Sequence, residues 1–280
     1  MKATLYLIAT PIGNLQDISF RAIDILKNVD LIACEDTRHT GQLLANYSIK
    51  KKLTSLHQHN EKEKTKFILD IIKNGGSVAY VSDAGTPCIS DPGAFLVNQA
   101  HLDNLHIVPI PGPSALTTAF SAAGILSNQF QFVGFLPSSQ SKCKKALRDI
   151  FSTNMTTIFY ESPRRVIKTL TFIVDIFGPE QEIVIGRELT KLFETIYKDK
   201  AITLLEKIIQ NPNDQKGEFV IILSRTEKKT PAKSDISEEH LLKALLSELP
   251  LNQAVKLTAT ILKKKKKEVY NLALEIKNDK

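Results

Sequence analysis

Over the first 110 residues, short apolar runs alternate with amphipathic stretches, and this alternation restricts the fold more than any other feature of the chain. Leu5 to Ala9, Leu31 to Cys34, Ser77 to Val81 and Ile107 to Ile110 each have the length of a buried strand. Between them, Ser19 to Val29 sets Phe20, Ile23, Ile25 and Leu26 on one helical face. Asn60 and Glu63 have the spacing of a capping box, which predicts a helix through Ile72 closed by Gly75 and Gly76. Pro92 to Ala100 reads as a helix with proline in its first turn. Such alternation specifies a largely parallel sheet with crossover helices.

The densest Pro/Gly cluster, Ile110-Pro111-Gly112-Pro113, marks a domain junction. Beyond it come a helix over Ser114 to Ala123, closed by Gly124, and strand-like runs at Phe130 to Phe135, Thr156 to Tyr160, Glu182 to Ile185, Phe193 to Tyr197 and Phe219 to Leu223. That density of strands predicts a mixed second sheet. Thr226 to Asp235 is polar and Lys-rich, as a linker is. Glu238 to Leu249, Leu251 to Leu262 and Glu268 to Ile276 then show helical periodicity. At 280 residues the chain exceeds what one core organises. The expected plan is an N-terminal α/β domain over 1–112, a second α/β domain over 113–226 and a linker with a helical, basic module over 227–280.

Of the net charge of +7, residues 226–280 contribute more than half, with 12 Lys against 8 Asp or Glu. A basic tail favours an anionic partner, nucleic acid above all. Cys34, Cys88 and Cys143 are odd in number and far apart, which argues for reduced thiols in a cytoplasmic protein rather than a disulfide framework. The run Leu5 to Ala9 is too short for a signal peptide, and no uncharged apolar stretch approaches the ~20 residues of a membrane span.

Two glycine-bearing loops follow strands in the first half: Ala9-Thr10-Pro11-Ile12-Gly13-Asn14-Leu15 and Ser82-Asp83-Ala84-Gly85-Thr86-Pro87, the latter continuing through Ile89-Ser90-Asp91-Pro92-Gly93. In open α/β sheets, loops at the carboxyl ends of strands form the ligand crevice. Each alone is also an ordinary strand-to-helix turn; two on parallel strands point to a site. Asp83 can accept hydrogen bonds from a ribose or an ammonium group. Neither loop is a P-loop or a dinucleotide fingerprint, so nucleotide triphosphates and dinucleotides lose support. His57-Gln58-His59 lacks zinc-site partners, so no metal is expected. Tyr160-Glu161-Ser162-Pro163-Arg164-Arg165 reads either as helix initiation, with Ser162 as cap, or as a phosphate contact through its arginine pair. Lys263, Lys264, Lys265, Lys266 and Lys267 form a run which, on a compact basic module, favours RNA over a merely solvated helix end.

Taken in order, Leu5 to Leu15, Cys34-Glu35-Asp36-Thr37-Arg38, Val81 to Pro87, Pro111 to Ala115, Gly134-Phe135-Leu136-Pro137, Phe159 to Ser162 and Arg187-Glu188-Leu189-Thr190-Lys191 resemble the ribosomal RNA small-subunit methyltransferase I family of the tetrapyrrole methylase superfamily. The resemblance runs from near residue 4 to near residue 276. It implies a two-domain α/β methylase, S-adenosyl-L-methionine in the cleft between the domains, a homodimer, and 2′-O-methylation of a decoding-centre cytidine in 16S rRNA. By position, the superfamily's cofactor loops fall on Pro11 and Gly13, on Asp83, Ala84, Gly85 and Thr86, and on Ser114 and Ala115. One departure stands out: where the family has a Gly-containing turn before its last helix, this chain has Lys263, and a left-handed lysine costs ~1 kcal/mol more than glycine.

Methyl transfer to a hydroxyl needs an oriented, deprotonated oxygen. Asp36, Glu188 and Lys191, at strand ends beside the expected cleft, are the candidates for that role, each equally able to form a structural ion pair. Arg38, Arg164 and Arg165 join the lysine run as candidate RNA contacts, with the 30S subunit as the expected partner. Two other readings stay open: a tetrapyrrole C-methyltransferase, which leaves the basic module unexplained, and a non-catalytic RNA-binding assembly protein, which needs no cofactor loops.

Overall fold

The computed structural model describes residues 3–127, 129–225, 238–262 and 264–278. They fall into two compact units, Met1–Thr226 and Glu227–Lys280.

The first sheet consists of β1 (Thr4–Ile8), β2 (Leu31–Cys34), β3 (Leu53–Ser55), β4 (Ser77–Val81) and β5 (Ile107–Ile110), in the order β3-β2-β4-β1-β5. Every pairing is parallel, as the alternation predicted. All five residues of β4 are buried, which an inner strand covered on both faces requires. Pro109, which has no N–H to donate, sits on edge strand β5. The crossover helices are α1 (Phe20–Asn28), α2 (Thr37–Asn46), α3 (Glu61–Lys73) and α4 (Ala94–Leu102). One sheet face packs on Ala22, Ile25 and Leu26 of α1, the other on Ile68, Leu69 and Ile72 of α3 and Leu96 of α4.

Three local expectations fail, each for a physical reason. Phe20 is not on the buried face of α1; it is 89% exposed, because it is the first helical residue and points off the sheet. The capping box at Asn60 does not form: the Asn60 side chain accepts from His57 N–H and donates to Ser55 O instead. Helix α4 starts at Ala94, not Pro92, because Gly93 takes a left-handed φ of +112°. A Cβ at Gly93 would lie 2.2 Å from the Tyr80 ring. The Glu61 carboxylate accepts from Gly93 N–H at 2.9 Å and Phe95 N–H at 3.2 Å, a favourable anion at a helix N-terminus.

The second sheet is mixed, as expected: β6 (Phe130–Phe135), β7 (Thr156–Glu161), β8 (Glu182–Arg187), β9 (Thr195–Lys200) and β10 (Phe219–Leu223), ordered β6-β7-β10-β8-β9. Only β6 and β7 run parallel. The run at Phe193 begins two residues before β9, and Phe193 itself is exposed in the preceding turn. One face is covered by three helices that the sequence reading did not delimit: α6 (Gln140–Thr153), α7 (Val166–Phe177) and α8 (Ala201–Gln210). Helix α7 starts at Val166 without a side-chain cap, so Ser162 is not its cap. The other face receives α5 (Ala115–Ala122), whose Ala119 packs on Ile158, Val184, Val220 and Ile222. Ile12, from the loop after β1, joins this second core.

In the C-terminal unit, α9 (Glu238–Glu248), α10 (Leu251–Ile261) and α11 (Lys266–Asn278) enclose Leu242, Ala254, Val255, Val269 and Ala273. Lys264 pairs with Glu238. Lys264, Lys265, Lys266 and Lys267 are exposed, and α11 begins two residues earlier than expected, taking Lys266 and Lys267 into its first turn. Lys263 and the linker Thr226 to Asp235 lie outside the described residues.

Candidate active site

Three loops leave the carboxyl ends of β1, β4 and β5 side by side, and hydrogen bonds lace them together. Thr10 N–H donates to Gly85 O at 2.9 Å and Gly85 N–H to Thr10 O at 3.0 Å. The Thr10 hydroxyl donates to Ser82 O at 3.0 Å, and the Thr86 hydroxyl reaches Pro113 O at 3.1 Å. Gly85 is needed here: its φ is +81°, and a Cβ would meet Ile12 at 3.4 Å.

These loops form one wall of a cavity of about 450 Å³, within the range of small-molecule sites. Asp83, Ala84, Gly85 and Thr86, then Ile89, Ser90 and Asp91, line it from the β4 loop; Ser114 and Ala115 line it at the start of α5. The opposite wall comes from the second sheet: Phe135, Tyr160 to Pro163, Leu189 and Glu218 to Val220. Mostly apolar walls with a few carboxylates suit a cationic, partly apolar ligand.

The three acid-base candidates do not line this cavity. Asp36 caps α2 by accepting from Arg38 N–H at 2.8 Å and pairs with the Arg38 guanidinium at 2.7 Å. Arg38 thereby holds its carboxyl far below the usual aspartate range. The Asp36 N–H donates to Asp83 Oδ1 at 3.2 Å, so Asp36 steadies a cavity residue. Glu188 and Lys191 form an ion pair at 2.9 Å, and Lys191 also reaches Glu218 at 3.0 Å. Burial alone would push the Glu188 carboxyl up; the Lys191 ammonium and the Glu218 N–H outweigh it and bring it down. Burial would lower Lys191, but Glu188 and Glu218 outweigh it and hold the ammonium charged.

The Glu188–Lys191 turn is strained, with φ of +49° at Glu188 and +65° at Thr190. Two glycines accommodate it. A Cβ on Gly13 would lie 2.4 Å from Lys191 Cγ, and one on Gly217 would lie 2.4 Å from Glu188 Cγ. Gly13 therefore serves the close approach of the first loop to this turn, while Pro11 and Gly13 stay out of the cavity lining. Buried Arg187 pins the same turn, donating to Lys216 O, Asn213 O and Phe193 O.

The arginine pair divides. Arg164 is exposed, whereas Arg165 donates to Leu136 O at 2.8 Å and pairs with buried Glu161 at 3.1 Å. Sequence reasoning missed Asp91 and Tyr160 as cavity residues. Burial, then Glu35 and Asp83, push the Asp91 carboxyl up to about 6, with the Ser82 hydroxyl opposing. Burial likewise raises the Tyr160 phenol. For Asp91 a signal existed, an acid in the second glycine loop; for Tyr160 only its place at a strand end. Among the described residues no group of His, Cys, Asp or Glu could hold a metal ion, and no helix is long and apolar enough to cross a membrane.

Residues 4–205 match the family of Tetrapyrrole (Corrin/Porphyrin) Methylases, and residues 232–277 match the RsmI C-terminal HTH domain. A solved cobalt precorrin-4 methyltransferase shares the fold with a TM-score of 0.58 at 17% identity, over 79% of this chain and 95% of its own. Fold and cavity thus define an α/β methylase of the tetrapyrrole-methylase class. Ribosomal RNA small subunit methyltransferase I of Vibrio cholerae is 45% identical over 273 residues, covering 97% of this chain and 94% of that protein. The Haemophilus influenzae protein of the same name is 43% identical over 272 residues, covering 96% of each. The chain belongs to the ribosomal RNA small subunit methyltransferase I family.

Proposed function

We propose that this chain is an S-adenosyl-L-methionine-dependent rRNA (cytidine-2′-O-)-methyltransferase acting on 16S rRNA in the 30S subunit, in the cytoplasm and as a homodimer. The observation that carries the reading is the cavity at the ends of β1, β4 and β5, built on three laced loops in a chain of this family. The residues present fit the cofactor. Gly85 leaves room that a Cβ would fill, Ser114 and Ala115 present the start of a helix, and Asp83 supplies negative charge for the cationic cofactor. When bound, S-adenosyl-L-methionine supplies an electrophilic methyl group and a leaving group that needs no acid.

The chain's residues hold and orient. Asp83, Ala84, Gly85, Thr86, Ser114 and Ala115 bind the cofactor, with Pro11 and Gly13 of the first loop supporting them from outside the cavity lining. Glu188 and Lys191 act from the rim beside Leu189, where a fixed ammonium orients an anionic RNA backbone; Asp36 acts through Asp83. Arg38, Arg164 and Lys264 to Lys267 are exposed cations suited to phosphates, Lys263 and Arg165 extending the same sets in sequence. Lys266 and Lys267 lie in the first turn of α11, where a helix dipole disfavours cations, so helix stability does not account for them.

The test supplies labelled S-adenosyl-L-methionine with unmodified 30S subunits and with free rRNA. Label in an alkali-resistant dinucleotide is expected, because a capped 2′-oxygen cannot attack the adjacent phosphate. Label only in mononucleotides overturns the ribose assignment.

A further inference from the structure

One carboxylate in the cavity wall has no role so far. Asp91 sits in the loop from β4 to α4, where Cys88 and Ser90 hold left-handed φ of +67° and +65°. Each costs a non-glycine residue ~1–2 kcal/mol, so the surrounding structure must impose the turn. Tyr80 donates to Pro92 O at 2.8 Å, and a Cβ on Gly134 would lie only 2.8 Å from Ser90 Oγ. The loop is thereby wedged between the two sheets with Asp91 facing the cavity.

The other acids near the cavity are committed. Glu161 is tied to Arg165 and Thr169, Glu218 to Lys191, and Asp83 receives the Asp36 N–H. Among the described residues, Asp91 has no ion-pair partner within 4.0 Å. We propose that Asp91 is the catalytic residue that takes the proton from the substrate hydroxyl. This rests on the ribose 2′-O reading above. As the hydroxyl oxygen bonds to the methyl carbon, its O–H bond breaks and the proton passes to an Asp91 carboxylate oxygen. The carbon–sulfur bonding pair stays on sulfur, whose positive charge disappears, and Asp91 later releases the proton to water.

Its surroundings support the role. Glu35 from the β2 loop, Asp83 and Cys88 from its own loop, Tyr80 from β4 and Tyr160 from β7 face it, and none is a cation. Burial and the two acids raise its carboxyl to about 6, ionised at neutral pH yet more basic than an ordinary aspartate.

Asp91→Asn and the smaller Asp91→Ser test this against wild type, with the alkali-resistant dinucleotide as product. Turnover at saturating cofactor and 30S subunits is expected to fall about 100-fold or more. Calorimetric affinity for S-adenosyl-L-methionine without RNA is expected to stay within about threefold of wild type, which also establishes that the variants fold. In wild type, kcat/KM rises with pH through about 6 and then levels; the variants lose that limb. Turnover within about threefold of wild type, or a loss that saturating cofactor restores, overturns the role. If wild type itself gives no alkali-resistant product, the ribose reading falls and this inference with it; if wild type and both variants give it equally, only this inference falls.

Discussion

The Lys191 ammonium bridges the carboxylates of Glu188 and Glu218, at 2.9 and 3.0 Å, and so ties the turn after β8 to the residue that precedes β10. Cavity residue Leu189 lies within that turn, so the bridge fixes part of the cavity rim.

Glu188 makes this bridge pH-sensitive. Its folded carboxyl lies below the ordinary value, so it stabilises the protein above the unfolded glutamate pKa, and this stability is lost as pH falls through the folded value. Glu188→Gln is expected to lower the urea midpoint at pH 7, with the difference from wild type shrinking below about pH 4. A difference that stays constant with pH would contradict the assignment.

Gly13→Ala forces a methyl to within 2.4 Å of Lys191 Cγ and 2.8 Å of Thr190 Oγ1. Overpacking of this kind costs ~1–3 kcal/mol. Thermal denaturation should show the loss, and turnover should fall by more than cofactor affinity, because Gly13 abuts the 189–191 turn and not the cavity itself.

Gly85→Ala acts on the cavity directly. Its left-handed φ makes any side chain cost ~1 kcal/mol, and the added methyl presses on Ile12. Calorimetry should show weaker S-adenosyl-L-methionine binding, about tenfold or more, with RNA affinity unchanged.

The basic module should act independently of the cavity. Replacing Lys265, Lys266 and Lys267 by Ala is expected to weaken RNA binding and to reduce the salt slope of log K by about one for every phosphate no longer neutralised. Cofactor affinity should not change; an unaltered RNA salt slope would remove these lysines from the interface.

The strands were legible because buried parallel strands are continuous apolar runs, and the loops after β1 and β4 because backbone turns there demand Gly and Pro. The remainder was decided by tertiary structure. Asn60 has the spacing of a cap, yet His57 and Ser55 compete for its side chain. Arg165 looks like half of a phosphate clamp, yet the buried Glu161 carboxylate claims it. Asp36, Glu188 and Lys191 are recognisable as charges at strand ends; that each has a charged partner depends on residues 2 to 27 positions away. Asp91 lies in the second glycine loop, but its place in the wall of a cavity shared with Tyr160, with Glu35 nearby, comes only from the folded sheets.

Ile12 belongs to a loop of the first sheet yet packs into the core of the second, and α5 does the same directly after β5. A clamshell motion of the two sheets would have to pull apart that shared apolar seam. Substrate entry and product exit therefore fall to the turns around the mouth, and severing the chain at Gly112 should leave two fragments with exposed apolar faces rather than two autonomous domains.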